Sequence, residues 1–90
     1  MTKSAEILRN LLLDAVIDGE IGKGIVVSVA ELKSKFFGKF EDSTLDTFLS
    51  NSELGALTSG YHRFTIRISK GLYRIHPTEL LHRMRDRKLV

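Results

Sequence analysis

RFTIRISKGLYRIHP, residues 63–77, alternates apolar and polar side chains on either side of a Lys-Gly pair. Phe64, Ile66 and Ile68 fall on one face, and Arg63, Thr65 and Arg67 on the other. Leu72 to His76 resumes the pattern, with Tyr73 and Ile75 on the apolar side. A period of two marks strands with one buried face. Lys70-Gly71 has the length of a two-residue hairpin loop, and Gly71 supplies the positive φ such turns need. The register in which every apolar residue meets an apolar partner sets Ile68 opposite Tyr73, Arg67 opposite Arg74 and Ile66 opposite Ile75. A hairpin with a basic outer face is predicted.

Three helical segments precede it. Ser4 is a cap for the first, with Glu6 in its opening turn, where the helix dipole favours negative charge. Leu8, Leu11, Leu12, Ala15 and Val16 form its apolar stripe, so a helix is predicted over about 4–18, ended by Gly19, Gly22 and Gly24. Ile25, Val26 and Val27 are consecutive β-branched residues and suit a very short buried strand. Ser28 followed by Glu31 is a capping box opening a second helix over about 28–37, with Val29, Leu32 and Phe36 on one face. After a turn at 38–42, Ser43 and Asp46 repeat the capping-box spacing before a third helix. Its inner stripe is Leu45, Phe48 and Leu49; its opposite face is Thr44, Thr47, Ser50 and Asn51. Gly55 and Gly60 mark the exit, with Leu57 expected against the core. Beyond the hairpin Pro77 is a stop, and Thr78 a cap for a last helix carrying Leu80, Leu81 and Met84.

The order is helix, short strand, helix-turn-helix, hairpin, helix: an α+β chain, mainly α. The segments VSVAELKSKF and STLDTFLS, together with the hairpin, resemble the winged-helix superfamily over roughly residues 4–77. The latter two are also similar to the matching parts of HARE-type winged helices. One domain over 1–90 is expected, with residues 78–90 as a basic helix or tail.

Charge is distributed unevenly. The net +3 arises from −1 over residues 1–27, −2 over 28–60 and +6 over 61–90, the last holding eight Lys/Arg against two Asp/Glu. Such a block suits an anionic partner, nucleic acid first and membrane surface second; a merely solvated surface is the plain alternative. On the hairpin Arg63, Arg67, Lys70 and Arg74 are placed to meet phosphates. The winged-helix resemblance implies base readout from Thr44, Thr47, Ser50 and Asn51 on helix 3. That helix carries no Lys or Arg, and Asp42, Asp46 and Glu53 flank it. The expected function is therefore that of a small double-stranded-DNA-binding transcriptional regulator, bacterial or phage. Its phosphate affinity is assigned to the wing and the basic C-terminal segment. A homodimer through helix 1 or the Leu80, Leu81, Met84 face follows from the habit of helix-turn-helix proteins. The alternative is an interaction module docking protein through acidic helix 3, betrayed by exposed apolar surface at Phe37, Phe40, Leu89 or Val90; the phenylalanines are otherwise read as core and turn packing.

Other classes find little support. No cysteine is present, which removes disulfides and thiolate metal sites. His62, His76 and His82 lack a carboxylate at ligand spacing, so neither metal nor cofactor is expected. No hydrolase elbow, phosphate loop or zinc-protease motif occurs, and no enzyme is expected. No apolar run exceeds three residues, far below the ~20 that span a bilayer, and the C-terminal apolar face is too small to anchor. A cytoplasmic location is expected.

Overall fold

The computed structural model describes residues 3–55 and 63–90. Leu57, Gly60 and His62 lie outside them. Four α-helices and a three-stranded antiparallel sheet follow one another as α1 (Lys3–Ile17), β1 (Val26–Ser28), α2 (Val29–Lys35), α3 (Asp42–Asn51), β2 (Thr65–Ser69), β3 (Leu72–Ile75) and α4 (Pro77–Asp86). The class is α+β, mainly helical, with the element order expected of a winged helix. The sheet order is β1-β3-β2, so the short strand before α2 joins the hairpin through β3.

α1 buries Ala5, Leu8, Leu12, Leu13 and Ala15. Ser4 lies inside it rather than capping it. Gly19 adopts φ 76° and closes the helix: its N–H bonds Val16 O at 3.1 Å, and Glu20 N–H bonds Ala15 O at 2.9 Å. This paired pattern satisfies the last carbonyls of the helix. Ile25 belongs to a 3-10 turn, Lys23–Ile25, so the strand starts one residue later than predicted.

The first capping box forms as read. Glu31 N–H donates to Ser28 Oγ at 3.0 Å, and Ser28 N–H to Glu31 Oε1 at 3.1 Å. The second does not. α3 begins at Asp42 with Glu41 as N-cap, placing Ser43 inside the helix, and Asp46 instead pairs with Lys33 of α2 at 2.9 Å. Leu45, Phe48 and Leu49 are buried beneath, with the Phe48 ring 6.0 Å from that of Phe64.

The hairpin loop is Lys70-Gly71, as predicted, but the register differs by one. Thr65 pairs with Ile75, Ile66 with Arg74, Arg67 with Tyr73 and Ser69 with Leu72. Lys70 keeps a negative φ while Gly71 is at 72°, so the loop is not the mirror-image turn whose twist matches the strands. The pairing slips between Arg67 and Ser69, leaving Ile68 as the extra residue of a bulge, 52% exposed. Thr65, not Ile66, enters the core with Ile75, Tyr73 and Val27. Its hydroxyl donates to Leu49 O at 2.7 Å. That carbonyl lies in the last turn of α3, where Glu53 N–H bonds Ser50 O instead. The observed register thus gives the buried Thr65 hydroxyl to a carbonyl that the helix ladder leaves unserved, at the expense of apolar area at Ile66.

α4 begins at Pro77, the first helical position, where a proline costs nothing. His76, rather than Thr78, is its N-cap: the Nδ1 accepts from Thr78 N–H at 3.2 Å.

Candidate functional site

Residues opposite each other across an antiparallel pair share a face. The observed register therefore puts Arg67 on the core-side face of the sheet with Thr65 and Tyr73, exposed at the edge strand β2, and Arg74 on the outer face with Ile66 and Val26. The expected Arg67–Arg74 cross-strand pair does not form, and with it goes the repulsion such a pair would carry. Arg67, Lys70 and Arg74 are all exposed. None has a side-chain hydrogen bond or ion pair among the described residues. The stretch 63–78 contains no acidic residue to neutralise them.

Arg63 differs from these three. Its Nη1 donates to Asn51 O at 2.8 Å, a cation on the last carbonyls of α3 that complements the negative end of the helix dipole. Arg63 thus ties the hairpin to α3 and is not a projecting wing cation.

On α3 two hydroxyls of the expected readout set bond the helix's own backbone. Thr47 Oγ1 donates to Ser43 O at 2.9 Å and Ser50 Oγ to Thr47 O at 3.0 Å. Thr47 is exposed, whereas Thr44, Ser50 and Asn51 are half-buried. The Lys33–Asp46 pair neutralises one of the helix's acids, and hydrogen bonding to Asp46 raises the Lys33 ammonium above its ordinary pKa.

The basic C-terminal segment is partly engaged inside the molecule. Arg83 forks onto Asp14 of α1, Nε to Oδ1 at 2.8 Å and Nη2 to Oδ2 at 2.9 Å. Arg87 bridges Asp14 at 3.5 Å and Asp18 at 3.1 Å. The Arg83 hydrogen bond holds the Asp14 carboxyl below its ordinary pKa against the opposing effect of burial, and Asp14 in turn raises Arg83. Sequence reading missed this cluster, since partners 69 and 73 positions apart leave no local pattern. Arg85 and Lys88 remain exposed.

One aromatic side chain, Phe37, departs from core and turn packing. Phe36 and Phe48 are core, but Phe37 is 81% exposed and Phe40 half-buried, edge-on to Phe36 with ring centroids 6.3 Å apart. Leu89 and Val90 are exposed as well. Among the described residues no group of three or more His, Asp or Glu side chains lies close enough to hold a metal ion. No described helix is long and apolar enough to cross a membrane.

Comparisons with protein-family models, with curated proteins and with solved structures give no match.

Proposed function

We propose that this chain is a winged-helix protein that binds double-stranded DNA and regulates transcription, gripping the phosphate backbone chiefly through Arg67, Lys70 and Arg74. The observation that carries this reading is the set of three exposed cations on one short hairpin, unpartnered among the described residues and with no acid in the stretch 63–78. Their departure on both faces of the sheet suits a ribbon that phosphates flank, rather than a flat surface laid on one strand. Phosphate contacts fix position without reading sequence. With α3 lacking cations and the Thr47 and Ser50 hydroxyls bonded to its own backbone, base readout through Thr44, Thr47, Ser50 and Asn51 is weak, so binding is dominated by the salt-dependent backbone term. A homodimer through α1 and α4, where Ile7 and Leu81 are 45% and 39% exposed, doubles the phosphate contacts and with them the salt slopes, which are stated per protomer; the mass at micromolar concentration tells the two states apart.

The test is the double variant Arg67→Gln/Arg74→Gln on a labelled random duplex. Removing two of three contacts should reduce the log–log salt slope from about −2.7 to about −0.9, at roughly 0.9 per phosphate. An unchanged affinity would remove the wing from the interface.

Phe37 favours a second reading, as a protein-docking module. The Phe36–Phe40 edge contact anchors the turn from which this side chain projects, and an aromatic so exposed is a usual interface anchor. Under that reading Phe37→Ala leaves stability unchanged and abolishes cross-linking to a protein partner, which Arg67→Gln/Arg74→Gln leaves intact.

A further inference from the structure

Asp14 and Asp18 stand near the C-terminal end of α1, where the helix dipole already places negative charge. The last turn of α1 contains no basic residue to offset them. Among the described residues their compensation comes from the fork of Arg83 on α4 and the bridge of Arg87, which caps the end of that helix. α4 carries no fully buried side chain among the described residues; Leu80 packs against the core, and the ion pairs fix the helix to α1 beside it. The Arg83 fork on a carboxylate has the planar two-bond geometry with which guanidinium groups take phosphodiesters. Arg83 and Arg87 keep 23% and 28% of their side-chain surface exposed, so both reach solvent with α4 in place.

We infer that Arg83 and Arg87 form a second phosphate-binding site, for a nucleic-acid backbone, that Asp14 and Asp18 mask. The inference rests on the nucleic-acid reading proposed above, and adds to it a set of cations withheld from the partner. The carboxylates occupy the guanidinium edges that phosphate oxygens would take. A backbone reaching this face must therefore displace two acids as well as counterions, and the chain binds with the wing alone. Asn removes the negative charge that competes with phosphate and offers one acceptor oxygen where the carboxylate offered two, so it opens part of the guanidinium edge while keeping one hydrogen bond to hold α4.

The experiment compares the unaltered chain with Asp14→Asn/Asp18→Asn on a labelled random duplex over 50–200 mM salt. The expected slope steepens from about −2.7 to about −4.5, at roughly 0.9 per released contact. Across that fourfold salt range the change is an additional loss in affinity of about twelvefold. Adding Arg83→Gln/Arg87→Gln to the double variant should return the slope to that of the unaltered chain. Equal slopes for the unaltered chain and the Asn variant would overturn the masked site while leaving the wing in place. Binding by the Asn variant alone, with a slope near −1.8, would uphold the masked site and discard the wing. Binding by neither would overturn both. If the double variant fails to fold, Asp18→Asn, which touches one bond of Arg87, reads the same effect at about half size.

Discussion

Thr65→Val, set beside Ile66→Thr, tests the hairpin register and with it the direction of every wing cation. Thr65 is fully buried and gives its hydroxyl to Leu49 O at 2.7 Å. Valine preserves the shape but deletes the donor, stranding a buried carbonyl that Glu53 N–H does not serve. Leaving one such group unpaired costs about 1–3 kcal/mol, so a loss of about 2 kcal/mol is expected. Ile66 lies on the outer face opposite Arg74 and is half-buried. Threonine suits a strand there, and the loss should stay below about 1 kcal/mol. For a domain of this size the two differ by roughly 4–8 °C in Tm per kcal/mol. Urea unfolding followed by far-UV circular dichroism gives both values. If Ile66→Thr proves the more damaging, Ile66 is the core residue, Arg67 faces Arg74, and the wing cations share one face after all.

Three further outcomes follow from the same packing. Gly22→Ala places a Cβ 2.9 Å from Val16 Cγ2 and 3.0 Å from Val27 Cγ2 at φ 72°, whereas at Gly24, φ 69°, nothing lies within 4 Å. Both pay the left-handed penalty of about 1–2 kcal/mol, but overpacking adds about 1–3 kcal/mol at Gly22 alone, a difference that denaturant midpoints resolve. Glu31→Ala removes the acceptor for Ser28 N–H at 3.1 Å and Gly22 N–H at 3.3 Å, and should cost about 1–2 kcal/mol, with Glu31→Gln in between. Because the folded Asp14 pKa is lowered, its contribution is fully present above the unfolded value of about 3.9 and is lost as pH falls through the folded one. The Tm gap between the unaltered chain and Asp14→Asn should therefore narrow below about pH 4, and a gap independent of pH would remove the ion pair from the stability of the fold.

What the sequence reveals here is what is encoded locally. The Ser28–Glu31 box, the α1 stripe, the inner face of α3 and the position of the hairpin loop all depend on neighbours within one or two turns, and all four form. The failures have long-range causes. Hairpin alternation favoured Ile66 as core, but in the folded chain Thr65 is buried on a carbonyl sixteen residues away, at Leu49, and a bulge forms at Ile68. The Ser43–Asp46 spacing was sound in isolation, yet Lys33 on another helix captures the aspartate. Arg63, Arg83 and Arg87 read as part of one basic block, while in the folded chain the first holds the end of α3 and the other two hold α4 on α1. Charge counting located the basic segment, and only the fold separates its engaged cations from Arg67, Lys70 and Arg74.

The most direct test of the nucleic-acid interface is the salt dependence of binding for the unaltered chain, by fluorescence anisotropy of a labelled random duplex. Three wing contacts predict a slope of about −2.7, a fall in affinity of about 40-fold between 50 and 200 mM salt. Absence of binding at 50 mM salt, or an affinity that salt does not change, would contradict a phosphate-gripping wing.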